Sequence, residues 1–495
     1  MDLKNSIKCN RNIKHNIILY LINIAALLPL LCFVFQHFSI DTYGLLNNLD
    51  DHCLVWIGSF RYFGSAVCKI WFALGNNPMV NPALDTLFYI FTVALAVVIL
   101  SKYIYGFFKN KSLLSYMIIN LSVLVSVVNI WFTNILTFPE CIFVTSVGVL
   151  FCFAAIISFS SKTTTIGGII SSVLLICSTA VYQQFLIIFI IYEILLIGLK
   201  FIQEEKTAVK SILTSYIKFI IFVMISGIIY VAIGIGLQKL FSIAPNERVG
   251  GSIGVILDNF KYFVTHQHSY LKGRGFFNTE ILTVCYAIVA IIWGVSFVAY
   301  VRKNKFSLKS FLLLLSYIVA YGSSFTMGLI STSRSHRTMF GLFSVFALFS
   351  VGSIILLNIK YVKYILCVSL ILVYALNIFK TVEMSINQYK LNEKELIYAN
   401  LYLDKINKYE NETNTTVKRI EFCTDGNLDI AKEESAFTSD YSLTGLMNYV
   451  SGRDFSAIDM ADNKYRQTFE SKDWKSVNPD EQLIFEGDTL YLCVY

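Results

Sequence analysis

The chain has 495 residues, of which 56% are hydrophobic, 15% aromatic and only 15% charged. Charged residues make up about a quarter of an ordinary soluble domain, so the solvent for most of this chain is lipid; disorder and collagen-like repeats are excluded by the same figures. The formal charge of +7 hides a division: residues 1–379 hold 27 of the 40 Lys+Arg and 12 of the 33 Asp+Glu, a net +15, while residues 380–495 hold 13 and 21, a net −8.

Eleven apolar runs are long enough to cross a hydrocarbon core of about 30 Å, which takes roughly 20 helical residues. In chain order they lie near 17–38, 84–107, 113–133, 139–160, 165–182, 184–201, 213–236, 280–301, 310–330, 338–358 and 361–379. Backbone groups in lipid must find their partners within the segment, and no period-two barrel pattern is present, so helices are expected. Lys4, Lys8, Arg11 and Lys14 precede the first run, and every second loop is basic: Lys102, Lys109 and Lys111; Lys162; Lys200, Lys206 and Lys210; Arg302, Lys303, Lys305 and Lys309; Lys360 and Lys363. This alternation predicts a cytoplasmic amino terminus and, with an odd number of spans, a carboxy-terminal segment outside. The first run exceeds a signal-peptide core and no small-residue cleavage site follows it, so it is expected to be retained.

Two of the outer loops are long, 39–83 and 237–279. Residues 380–495 mix a helix-like stretch, 383–409, with strand-like runs at 417–423 and 490–494, which predicts a small α/β domain. The expected fold is therefore mainly α: a polytopic transmembrane helix bundle of about eleven spans over residues 1–379, followed by a periplasmic α/β domain over 380–495. Eleven cysteines are present, and four of them fall on the outside in two pairs. Cys53–Cys68 and Cys423–Cys493 disulfides are expected there, with the strands bearing Cys423 and Cys493 side by side. No cluster has zinc-ligand spacing, and His266 and His268 read as solvated rather than metal-binding. No metal site is expected, although an aspartate pair can hold a divalent ion together with a phosphate. No nucleic-acid partner is expected.

Loop 39–83 carries Asp41, Asp50 and Asp51 close to the membrane surface. A partly desolvated carboxylate there can act as a general base toward a hydroxyl; the ordinary alternative is a solvated turn or a helix cap. Aromatic residues from Val55 to Trp71 frame Arg61 and Lys69, as in an interfacial helix. Glu140 opens the fourth run after Phe138 and Pro139, where a carboxylate also suits the helix dipole. Tyr182, Gln183 and Gln184 form a tight outer turn in a place where Gly, Asn or Asp is usual. The Ser333-Arg334-Ser335-His336-Arg337 turn puts two arginines in a short outer loop against the positive-inside rule, and guanidinium forks bind phosphate oxygens bidentately. Arg248, Lys272 and Arg274 add to that field, whereas Lys239 and Lys261 suit snorkelling. Acids from the first loop opposite arginines from the late loops give a layout for moving a group from a lipid phosphate to an alcohol.

Taken together, the Asn48-Leu49-Asp50-Asp51 to Trp56 to Arg61 order, the Phe138-Pro139-Glu140 start, the Tyr182-Gln183-Gln184 turn and the Ser333 to Arg337 turn resemble the bacteriophage-type serotype-converting O-antigen glucosyltransferases, the Gtr family of polytopic enzymes. The resemblance implies a GT-C-type fold in the bacterial inner membrane with its active site facing the periplasm. It also implies a polyprenyl-phosphate glucose donor and a lipid-linked O-antigen acceptor. Membrane lipids are partners, and a donor synthase and a donor flippase are needed upstream. On this resemblance Asp50 and Asp51 match the acidic pair, either being the base; Arg334 and Arg337 match the basic turn, for the donor phosphate. Arg61 matches an arginine that usually follows glycine directly, while here Ser59 and Phe60 intervene after Gly58. Glu140, Gln183, Asp41 and Tyr182 are placed at sugar or acceptor hydroxyls.

Two other classes fit the topology: another GT-C glycosyltransferase or an O-antigen polymerase, and a polysaccharide or lipid flippase. Transporters place ionisable groups at the midplane and show repeated halves. Here the spans are nearly free of charge, Glu193 being an exception, and no repeat is visible, so a hexosyl-transferring enzyme is the leading reading.

Overall fold

The computed structural model describes residues 3–47, 49–109, 111–161, 165–203, 209–244, 252–273, 279–331, 336–423, 435–458, 464–472 and 478–494. Helix α1 (Leu3–Leu27) gives way at Pro29 to a 3-10 segment, Leu28–Val34. Proline lacks an N–H and its ring blocks the carbonyl one turn back, so the α ladder stops there. The first long loop then folds into α2 (Ile40–Asn47), α3 (Leu49–Gly58) and α4 (Tyr62–Ala73). The bundle continues with α5 (Pro82–Gly106) and α6 (Leu113–Val127), where the third apolar run breaks before the one-turn helix α7 (Ile130–Thr133).

That break is fully accounted for in hydrogen bonds. Asn129 accepts from the Phe132 N–H through its side chain, its amide donates to the Val125 and Ser126 carbonyls, and Asn377 Oδ1 accepts from the Ile130 N–H at 2.8 Å. Where water is excluded, a helix can be broken only with such replacements. Helices α8 (Pro139–Ser161), α9 (Thr165–Thr179), α10 (Gln184–Gln203) and α11 (Val209–Leu240) follow. The second long loop contributes α12 (Ile253–Thr265) and α13 (Gln267–Leu271). After it come α14 (Glu280–Asn304), α15 (Leu308–Ser323), α16 (Thr326–Ile330), α17 (Gly341–Leu356) and α18 (Lys360–Thr413).

Among the described residues nine helical segments are long and apolar enough to cross a membrane. The fifth and ninth of the eleven apolar runs form the shorter helices α9 and α15. Both still join the two ends of the bundle. Gly167 near the start of α9 accepts from Ser158 at one end, and Ala180 just beyond it accepts from the Gly64 N–H of the first loop at the other. Lys309 lies over the Phe201 ring where α15 begins, and Tyr321 donates to Gln267 of the second loop near its end. Lysines gather at the end away from these loops: Lys109 donates to the Gln203 carbonyl, Lys200 to the Ser160 carbonyl and Lys363 to Ser112 Oγ.

Helix α18 runs across residues 379 and 380. It is one unbroken helix of 54 residues, about 80 Å long at 1.5 Å per residue. The last span therefore continues directly into the stretch expected as a separate helix at 383–409. The tail adds β1 (Arg419–Cys423), α19 (Asp440–Ser451), β2 (Ser456–Ile458), α20 (Arg466–Glu470), α21 (Pro479–Gln482), β3 (Leu483–Glu486) and β4 (Thr489–Cys493). Its sheet has the order β2-β1-β4-β3, parallel except for the β3–β4 hairpin, and Cys423 faces Cys493 in register.

The small apolar core of the tail is shared with the first loop. Phe38, Tyr43 and Leu45 pack in one cluster with Phe422, Leu443, Leu446 and Leu490. Beside that cluster Glu395 of α18 is fully buried. It accepts from Tyr43 Oη and Asn392 Nδ2 on one oxygen, and from Ser435 Oγ and the Ala436 N–H on the other. A buried carboxylate is tolerated when its oxygens are met in this way. Helix α19 approaches so closely that a Cβ on Gly445 would lie 2.3 Å from the Tyr43 carbonyl oxygen. We expect Gly445→Val to release α19 from the first loop, read as faster limited proteolysis of the tail in an otherwise folded protein; an unchanged cleavage rate would contradict this packing.

Candidate active site

Helix α3 ends at a bend over Ser59, Phe60 and Arg61. Phe60 has φ +62°, a left-handed conformation that costs a bulky residue energy, and the surroundings hold it there. Gln183 Nε2 donates to the Ser59 carbonyl at 2.7 Å, Tyr230 Oη to the Phe60 carbonyl at 3.0 Å and Gln238 Nε2 to the Gly58 carbonyl at 3.0 Å. The Phe60 ring lies against Gly234 of α11, where a Cβ would come within 2.3 Å of it. The bend turns Arg61 inward, and its guanidinium sits 4.8 Å over the Tyr182 ring, a cation–π contact that also fixes the fork's plane. Gln183 and Tyr182, expected at sugar hydroxyls, therefore hold Arg61 in place.

The acidic side comes from α2 and α8. Asp41 lies in the first turn of α2 and is half-buried. Its neighbour Thr42 donates its hydroxyl to Glu140 Oε2 at 3.0 Å, and both residues are buried. Glu140 stands in the first turn of α8, where the helix dipole favours a negative charge. Behind it, Arg337 Nε donates to Asn134 Oδ1 and its guanidinium lies 4.7 Å over the Phe138 ring.

Glu140, Arg61, Asp41 and Arg337 all lie near enough for their charges to reach the Cys141 thiol. His52 on α3 lies in the fields of Asp41 and Arg61, and burial pushes it below its usual 6.5, so it is a neutral imidazole at neutral pH. His52 Nε2 and Arg61 Nε are buried with no hydrogen-bond partner among the described residues. Buried donors and acceptors in native proteins are almost always satisfied, so both atoms have bonding capacity to spare.

The acid pair behaves differently. Asp50 is 79% exposed and ion-paired to Lys69 at 2.8 Å, and Asp51 shares the exposed face of α3 with Val55. His52 and Trp56, one helical position on, take the inward face. The helical phase of α3 thus turns both aspartates away from the cluster, and Asp41 is the loop-one aspartate that joins it. Arg334, Arg248 and Arg274 lie outside the described residues. Lys272 pairs with Glu280, as does His268. Among the described residues no group of three His, Cys, Asp or Glu side chains is arranged to hold a metal ion. The Cys53–Cys68 bridge expected from the sequence appears as a hydrogen-bonded pair of thiols, a bond that pulls Cys53 down to about 7.

The sequence profile of the family described as glucosyl transferase GtrII matches residues 30–357, well over half of the chain. The chain belongs to this family. It is therefore a glucosyltransferase, built on a bundle of helices apolar enough to cross a membrane. The GtrII match takes in Asp41, His52, Arg61, Glu140 and Arg337 and stops before α18 and the tail. No protein of curated function matches the chain.

A pH dependence follows from His52. Its folded value lies below the unfolded 6.5, so as the pH falls below 6.5 the unfolded chain takes up the proton first and stability is lost toward the folded value. Thermal unfolding at about pH 5.5 is expected to give a lower Tm than at about pH 7.5, and His52→Gln is expected to shrink that gap. An undiminished gap in the variant would contradict the burial of the imidazole.

Proposed function

We propose that this glucosyltransferase moves glucose from a polyprenyl-phosphate donor to a hydroxyl of lipid-linked O-antigen repeat units, at the periplasmic face of the bacterial inner membrane. Asp41 is the general base, and Arg61 and Arg337, joined by Arg334, hold the donor phosphate. The observation that carries this reading is the gathering of Asp41, Glu140, Arg61 and Arg337 around one point, with buried atoms of His52 and Arg61 left for a ligand. The lysine-rich end of the bundle, opposite this cluster, supports the orientation through the positive-inside rule. A donor assembled in the cytoplasm requires a synthase and a flippase to reach the site.

In the reaction Asp41 takes the proton of the acceptor hydroxyl while that oxygen forms a bond to the anomeric carbon. The bond from that carbon to the phosphate oxygen breaks, and the charge gathering on the departing polyprenyl phosphate is met by guanidiniums already in place. Attack opposite to departure inverts the anomeric configuration. Glu140 is buried and hydrogen-bonded, so it acts as the counter-charge that keeps two arginines close together, while half-buried Asp41 stands at the rim the acceptor reaches. His52, neutral, supplies an uncharged hydrogen-bonding group to the sugar.

Asp41→Asn is expected to leave the protein in the membrane and to lower transfer by about 10²–10⁴-fold, the usual worth of a general base, whereas Asp50→Asn and Asp51→Asn keep most activity. Full activity in Asp41→Asn would overturn the assignment. Arg61→Ala and Arg337→Ala are each expected to raise the donor KM more than Lys261→Ala; equal effects would point to a diffuse surface field. Mass analysis of surface polysaccharide from cells with and without the gene is expected to show one added hexose per repeat unit, and a change in chain length alone would favour a polymerase instead.

A further inference from the structure

The tail reaches into the cluster at one residue. Tyr441, on the first turn of α19, donates its hydroxyl to Asp41 Oδ1 at 3.0 Å across 400 positions of sequence. Its ring packs over Gly44 of α2, where a Cβ would lie 3.0 Å from the ring edge, and one turn later Gly445 rests against the Tyr43 backbone. The Glu395 clamp on Tyr43, Ser435 and Ala436 fixes the same two segments from below. The phenol is thus held at Asp41 by the packing of its ring on Gly44 and by the anchoring of α19 on the Tyr43 backbone, and it remains 44% exposed. This contact involves a part of the chain that the GtrII match does not cover.

A carboxylate in the first turn of a helix has other bonds to make. Left alone it turns toward the unsatisfied N–H groups of its own helix start. A phenol that binds one oxygen holds the carboxylate away from them and leaves the second oxygen to take the acceptor's proton. The ring that carries this phenol is 44% exposed, and an exposed aromatic surface suits the apolar face of a sugar.

We propose that Tyr441 is a positioning residue for Asp41 and forms one wall of the acceptor-sugar subsite, so that the C-terminal domain completes the catalytic centre. This rests on the reading of Asp41 as the base. The test uses the full-length enzyme with undecaprenyl-phosphate glucose and purified lipid-linked repeat unit, and reads kcat and the two KM values separately. Tyr441→Phe keeps the ring and loses the hydroxyl; kcat is expected to fall about tenfold, the worth of a hydrogen bond to a charged group, with both KM values within about twofold. Tyr441→Leu is expected to show the same loss in kcat together with an acceptor KM raised about tenfold, in line with the loss of an aromatic anchor, and an unchanged donor KM.

Wild-type kcat in Tyr441→Phe would overturn the positioning role, and a wild-type acceptor KM in Tyr441→Leu would overturn the subsite. If proteolysis shows that the leucine variant has released the tail, Tyr441→Phe decides the positioning role, and Tyr441→Met, whose long side chain refills the space over Gly44 without a ring, takes over the subsite test with the same expected and contradicting acceptor KM. Asp41→Asn run in parallel separates the two claims: activity retained there removes the base reading itself, while an inactive Asp41→Asn beside a fully active Tyr441→Phe removes only this inference.

Discussion

The hydrogen bond from Thr42 to Glu140 joins two segments 98 positions apart, the start of α2 in the first loop and the first turn of the apolar helix α8. Neither residue is accessible, and an unpaired carboxylate in that position would cost several kcal/mol, so the start of α2 and the start of α8 hold together. Asp41 precedes Thr42 and Cys141 follows Glu140. The bond therefore sets how far the rim carboxylate stands from the floor of the cluster, and both arginines are arranged around that span. Arg61 is aimed by a bend with carbonyls on loan to α11 and the turn before α10, and Arg337 by Asn134 at the broken end of the third span. The charged side chains are each fixed through uncharged partners: Thr42 for Glu140, Asn134 for Arg337, and the bend held by Gln183, Tyr230 and Gln238 for Arg61.

The first loop is the hinge of the architecture in a packing sense. Its inner helices, α3 and α4, face the large core of the bundle, while Phe38, Tyr43 and Leu45 belong to the small core of the tail. Helix α18 makes this arrangement rigid by running without interruption from the lysine-rich end to the sheet. Its buried positions contact α7 through Asn377 and Thr381, then the first loop through Gln388 and Asn392, then the tail through Glu395 and Tyr402. One helix thus registers three layers against each other. A tail attached in this way packs as one unit with the first loop, since its helix α19 touches the segment that carries Asp41.

Much of this was legible in the sequence because lipid imposes simple rules. Runs of about 20 apolar residues and alternating loop charge point to the helices, and the strand-like stretches around Val417–Cys423 and Leu490–Val494 point to two neighbouring strands, which the sheet pairs in parallel. Glu140, Arg61, Tyr182, Gln183 and Arg337 stand out in the sequence as polar residues in unusual places; the structure sets Arg61 over the Tyr182 ring and Gln183 on the Ser59 carbonyl, and bonds Glu140 to Thr42 and Arg337 to Asn134. The roles were harder to read. Asp50 and Asp51 look alike in a loop, but once residues 49–58 form a helix the phase turns them outward and His52 inward. That phase depends on where the helix begins, which composition alone leaves open. The boundary near residue 380 was drawn where hydropathy changes, yet backbone hydrogen bonding ignores that change and α18 continues. Tyr441 had no local signal at all, because its contact with Asp41 is created by the docking of two distant segments.

The proposed function requires acids from α2 and α8 and guanidiniums from the bend after α3 and the segment before α17 to enclose the phosphate of a lipid-linked sugar. A structure of the enzyme with a non-reactive analogue of polyprenyl-phosphate glucose addresses it directly. The phosphate is predicted to lie within hydrogen-bond distance of Arg61 and Arg337, with the anomeric carbon turned toward Asp41. A phosphate seated instead against Lys261 and Lys272, or at the lysine-rich end of the bundle, would contradict it.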